Sequence, residues 1–162
     1  MSTLNLTFLV STLGRSGPTN QLYNLVRRLD TQRFSISIIT ISPEPVDSRW
    51  RDFEHLGVKI DSIKLNRFMS IFLGKRRLVR FLKDNNTDLL HSHGIRADFL
   101  NYSVHFLPHR ISTQRNDPRS DYPMYYGRFI GLAMAKVHLY ILARIPRVVT
   151  CSEALTTSNK SL

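Results

Sequence analysis

The stretch "LNLTFLVSTLGRSGPTNQLYNLVRRL", residues 4–29, passes from an apolar run through two glycines into an amphipathic pattern. Residues 4–10 alternate and then run apolar, as a strand covered on both faces does. Beyond the turn, Leu22, Leu25, Val26 and Leu29 fall at i, i+3, i+4 and i+7, which is one face of a helix. Gly17 stands near the helix cap and Pro18 at its first position, where a missing N–H costs nothing. The turn has two readings. It is packing geometry, or it is a cradle in which free N–H groups and the helix dipole meet an anion.

The same alternation continues outward. "RFSISIITI" (33–41), "VKIDSI" (58–63), "TDLLHSHG" (87–94), "RISTQR" (110–115) and "RVVTCS" (147–152) read as strands. Between them, "SRWRDFEHLG" (48–57) is a short helix stopped by Gly57, and "KRRLVRFLKDN" (75–85) is a basic amphipathic helix. "IRADFLNYSVHFL" (95–107) is a helix ended by Pro108, and 124–144 is a largely apolar helix. "NDPRSDYP" (116–123) reads as a polar loop, and "EALTTSNKSL" (153–162) as the start of a last helix. Alternating strands and helices with short connections predict an α/β fold: a Rossmann-like, doubly wound, mostly parallel sheet in a single domain. Ligands of such sheets sit beyond the carboxyl ends of the strands. That singles out 12–19, 42–46, 61–67, 91–96, 113–122 and 151–153.

A chain of 162 residues, 42% hydrophobic and 22% charged, holds one ordinary core. Lys and Arg number 23 against 12 Asp and Glu, a net charge of +11 that favours polyanionic partners. Diphosphate substrates, an anionic membrane surface and nucleic acid all satisfy that charge. No nucleic-acid module accompanies it, so no nucleic-acid partner is expected. Cys151 is the single cysteine, which excludes an intramolecular disulfide and a cysteine-based zinc site and agrees with a reducing compartment. The start "MSTLNLTFLVST" has no basic leader, so no signal peptide is expected.

Three strand ends offer chemistry. At the first turn, Gly17, Thr19 and Asn20 supply candidate N–H groups. In "HSHG", His91 and His93 share one strand face. No acid or thiol nearby completes a metal set. His91 reads as a buried, hydrogen-bonded histidine, and His93, at the strand end before Gly94, as the one placed to meet a ligand. In "STQRNDPRSDYPMYYG" (112–127), Thr113, Arg115, Asn116, Asp121 and Tyr122 read as pocket-shaping residues or as a loop held by its own hydrogen bonds. The run from Lys75 to Lys83 is a solvated face or an attachment to anionic head groups.

In order and spacing, the turn at Gly14–Gly17, "NQLYNLVRRLD", "RFSISIITISP", "LGVKIDSIKLNR", "DLLHSHGIRADFLN", "DYPMYYG" and "MAKVHLYILARIPRVVTCSEAL" resemble the N-terminal domain of family 4 glycosyltransferases. These are retaining GT-B enzymes of polysaccharide and glycolipid synthesis. The resemblance implies that residues 1–162 are the acceptor-side half of a GT-B fold, ending before the last strand of that domain and lacking the domain that binds the sugar nucleotide. It implies that Gly14, Ser16, Gly17, Thr19 and Asn20 face the donor diphosphate. His93 then approaches the transferred sugar as the catalytic residue, and Thr113, Arg115, Asn116, Asp121 and Tyr122 line the acceptor side. Its partners are a nucleotide-sugar donor and a glycan or lipid-linked acceptor, with no cofactor or metal. The location implied is cytoplasmic, at the inner face of the cell membrane. The sequence departs from the family where a second glycine, a small residue and an acid are common, having Ser16-Gly17-Pro18-Thr19 instead. A different reading makes the chain a non-catalytic, truncated product that docks a partner or an anionic membrane.

Overall fold

The computed structural model describes residues 3–66 and 69–160. Its first half comprises β1 (Leu4–Val10), α1 (Gly17–Val26), β2 (Phe34–Thr40), α2 (Trp50–Glu54), β3 (Lys59–Ser62) and α3 (Met69–Asp84). The second comprises β4 (Leu89–His93), α4 (Ile95–Ser103), β5 (His109–Gln114), α5 (Pro118–Tyr126), α6 (Arg128–Leu142), β6 (Arg147–Thr150) and α7 (Glu153–Lys160). The 6-stranded sheet runs β3-β2-β1-β4-β5-β6 with every pairing parallel, a Rossmann-like α/β domain.

Alternate side chains of each strand feed two cores. Leu6, Phe8 and Val10 of β1 and Ile38 of β2 pack on Leu22 and Val26 of α1 and Phe53 of α2. Leu9, Ile39 and Leu90 point the other way, against Leu78 and Phe81 of α3 and Ala97 and Leu100 of α4. Contacts between α4 and α6 place α6 in the same layer as α3 and α4. This two-sided burial explains why β1 reads as a nearly continuous apolar run.

The structure differs from the local sequence pattern at several places. Ser16, not Gly17, caps α1: its Oγ accepts from the Thr19 N–H at 3.3 Å. The basic helix begins six residues before Lys75, at Met69. Helix α4 stops at Ser103, with turns carrying the chain to Pro108. The larger correction concerns 116–123, which is helix rather than loop. Asp117 caps α5 through its Oδ1, which accepts from the Arg119 N–H at 3.0 Å, and Pro118 takes the first position. Pro123 lies inside that helix, where a proline ordinarily costs about 3 kcal/mol. Packing against α6 outweighs it. The helix read over 124–144 is interrupted at Gly127, whose φ of 79° turns the chain from α5 into α6. Arg67, in the strand end 61–67, and residues 161–162 of the last helix lie outside the described residues.

The α5–α6 corner is packed backbone against backbone. A Cβ on Gly131 would come within 2.3 Å of the Pro123 nitrogen and 2.4 Å of the Tyr122 carbonyl carbon. Gly131→Ala gains about 1 kcal/mol of helix propensity but forces the corner apart. A net loss of at least about 2 kcal/mol is expected in urea unfolding. Gly74→Ala is the comparison: there the added atom meets only the Leu100 side chain, at 2.9 Å, which can turn aside. Its cost is expected to be smaller.

Candidate functional site

Register brings Val10 of β1 beside His93 of β4, and His93 beside Thr113 of β5. Chain order reverses between β1 and β4, so the loops leaving these tips diverge and open a crevice. A cavity of about 420 Å³ occupies it, lined by Thr12, Ser16, Thr19, His93, Arg115 and Asn116 among others.

The β1–α1 turn is braced from the side. Glu44 Oε2 accepts from the Leu13 N–H at 2.9 Å and from Ser48 Oγ at 2.6 Å, and Gly14 bridges to Ser48. An added Cβ on Gly14 would stand 3.0 Å from Pro45. Gly14 therefore serves packing. At the helix start the Thr19 N–H goes to Ser16 Oγ and the Asn20 N–H to the Ser16 carbonyl at 2.9 Å. The Asn20 side chain accepts from Arg49 at 2.8 Å. Of the three N–H groups singled out by sequence, only that of Gly17 is without a partner among the described residues.

The two histidines of "HSH" share a face, ring centroids 4.5 Å apart, with Phe8 against both. His91 Nε2 bonds Thr113 Oγ1 at 2.7 Å. Arg115 Nη2 donates to His93 Nδ1 at 2.7 Å, while Arg115 Nε donates to Gln21 Oε1 at 3.0 Å. Because a guanidinium only donates, His93 Nδ1 carries the lone pair and Nε2 the proton. Burial, then His91 and Arg115, hold the His93 pKa well below its ordinary value, so the ring is neutral. Its Nε2–H is buried and has no partner among the described residues.

A second polar cluster lies behind the cavity. Asp98 Oδ1 accepts from Ser92 Oγ and Ser112 Oγ, both at 2.6 Å. Its Oδ2 meets His138 Nε2 at 2.9 Å, and His138 Nδ1 meets the Tyr122 hydroxyl at 2.7 Å. Asp98 and His138 also border the cavity. Burial raises the Tyr122 pKa, with Asp98 adding to it, so the phenol stays protonated. Tyr122 is thus engaged inside the fold. Asp121, Tyr122, Gly14, Gly17 and Asn20 are not part of the cavity lining, unlike Ser16, Thr19, His93, Thr113, Arg115 and Asn116.

Thr12 lies in the stretch 12–19 singled out by the sequence, whereas Asp98 and His138 lie outside every such stretch. Asp98 had a signal, an acid in the first turn of a helix following "HSHG". So did His138, a polar residue on the helix face that also holds Ala135 and Leu142. Their meeting depends on α6 folding back over α4. Among the described residues no three His, Cys, Asp or Glu side chains form a group suited to a metal ion.

No family model matches the sequence, and no curated protein matches it. The fold is similar to the crystal structure of a glycosyltransferase from Rickettsia africae ESF-5, with a TM-score of 0.63 and 13% identity, covering 96% of this chain. The chain spans 39% of the length of that glycosyltransferase. It is a Rossmann-like α/β domain with the architecture of part of a glycosyltransferase.

Two measurements probe the site. Burial, with Arg115 adding and Asp98 opposing, lowers the His91 pKa from 6.5 to about 4. The unfolded chain therefore binds a proton at His91 where the folded chain does not. His91's contribution is complete above pH 6.5 and is lost as pH falls toward 4. The loss reaches about 3 kcal/mol near pH 4. Denaturant titrations across that range should show this slope, reduced in His91→Gln. Separately, Asp98→Ala strands two hydroxyls and a histidine and is expected to cost about 3 kcal/mol, read as a lower midpoint of unfolding.

Proposed function

We propose that this chain is the acceptor-side domain of a retaining, family 4-type glycosyltransferase of polysaccharide or glycolipid synthesis. The enzyme transfers a sugar from a nucleotide-sugar donor to a glycan or lipid-linked acceptor, and residues outside this chain supply the donor-binding half. The observation that carries the reading is the neutral, unpartnered Nε2–H of His93 at the switch-point cavity. A buried N–H without an acceptor costs about 1–3 kcal/mol, which a hydroxyl or phosphate oxygen of a ligand offsets.

The surrounding groups fit that chemistry. A leaving diphosphate gains negative charge in the transition state, and preorganised dipoles and cations stabilise it. Here the start of α1 brings Ser16 and Thr19 to the same cavity as Arg115. Arg115 has a double role, since it also fixes the His93 tautomer. Thr113 and Asn116 continue the wall on the acceptor side. The anomeric bond to the diphosphate breaks, the acceptor oxygen takes its place with configuration retained, and the departing diphosphate oxygen takes the acceptor's hydroxyl proton.

Sugar transfer by the chain completed with its donor-binding half tests this. His93→Ala is expected to lower kcat/KM about a hundredfold, with His93→Gln, which keeps an N–H, recovering part of it. Asn20→Ala, outside the cavity, should stay near the parent rate. Undiminished transfer by His93→Ala would end the proposal.

A further inference from the structure

Helix α6 is apolar on the side that faces away from the protein. Gly131, Ala135, His138, Ile141 and Leu142 form its buried face. The opposite face carries Phe129, Ile130, Val137 and Tyr140, with Phe129 88% and Ile130 64% exposed. At the corner before it, Met124 and Tyr125 are exposed as well. A helix that is apolar all round is normally covered on all sides, and a contiguous apolar patch of this kind marks a docking surface.

Charge identifies what covers it. No acidic residue occurs between Asp121 and Glu153, while Arg128, Lys136, Arg144 and Arg147 do. The exposed Arg144 guanidinium lies over the Tyr140 ring, 3.4 Å from its centroid, so the cation sits directly on the apolar face. Helix α3, in the same layer, repeats the arrangement: Phe72 is 82% exposed, and Lys75 and Arg76 follow it at the surface. A second copy of the chain would bring these cations, and a net +11, against their own kind. A surface with an apolar interior and negatively charged head groups matches both features.

We infer that the outward face of α6, with the adjoining α5 corner, docks this protein on an anionic lipid bilayer. The helix lies in the interface plane. Phe129 and Ile130 enter the acyl boundary, Tyr140 sits at head-group level, and Lys136 and Arg144 extend to the phosphates. It does not span: among the described residues no helix is long and apolar enough to cross a membrane. The strand-tip cavity, walled by α1 and the β4 and β5 ends, stays open beside the docked layer. This inference stands independently of the sugar-transfer reading.

Vesicle flotation of the full chain is the test, with phosphatidylcholine alone and with phosphatidylcholine mixed with phosphatidylglycerol. Binding is expected to the mixed vesicles only and to weaken with salt. The pair Phe129→Ser and Ile130→Ser should lower the affinity at least about tenfold. Lys136→Gln and Arg144→Gln should each lower it about fivefold. All four side chains are exposed, and the charge variants leave the apolar face intact should the serine pair perturb folding. No binding to the mixed vesicles, equal binding to both vesicle types, or binding indifferent to either pair of substitutions overturns the inference. So does a dimer in sedimentation that the serine pair dissociates, since that makes a second copy the occupant.

Discussion

Between β1 and β4 the chain turns away from the sheet in opposite directions, because two parallel neighbours are reached by crossovers over opposite faces. Everything functional in this domain rests on that pairing. Parallel strands require long connections, those connections bury both faces, and the tips at the reversal are left with no helix directly above them. The row Val10, His93, Thr113 is the floor of the resulting gap. Sheet order, two-sided core and cavity position are consequences of a single geometric constraint.

Two polar groups are buried near that floor, and the contrast between them separates architecture from chemistry. The Asp98 carboxylate receives two serine hydroxyls and meets a histidine. It joins β4, β5 and α6 to α4, and through Tyr122 it also holds α5. Burial of such a group is tolerable because its partners replace the water it loses. His93 is the reverse case. Arg115 occupies one ring nitrogen and leaves the other, protonated and buried, without an acceptor. A satisfied network specifies a fold. An unsatisfied hydrogen-bond donor at a crevice supports a site completed by a ligand.

Much of the architecture was legible along the chain. The six strands were readable because β-rich runs alternate with helical periodicity at short intervals, and side-chain period follows from backbone geometry alone. The segment 116–123 was not. Two prolines within six residues argue locally against helix, and what overrides them is a backbone contact with Gly131. That contact lies eight residues beyond Pro123 and belongs to no local pattern. The same reason hid Asp98 and His138, which come from different helices and meet only when α6 packs on α4.

The candidate site divides the same way. Ser16, Thr19, His93, Thr113, Arg115 and Asn116 were recognisable because each lies at or beyond the carboxyl end of a strand, and strand tips of a parallel sheet share one edge. Gly14, Asn20 and Tyr122 also lie beyond strand ends, yet neighbours from other segments engage them: Ser48 and Pro45, Arg49, and His138. By itself the sequence determined the order and kind of the elements and which edge would face a ligand, since these depend on periodicity and on the chemistry of short segments. Only the tertiary structure decided which polar groups stay unpaired at that edge and which apolar helix face stays uncovered. Pairing and burial are relations between residues far apart in the chain, and no local pattern encodes them.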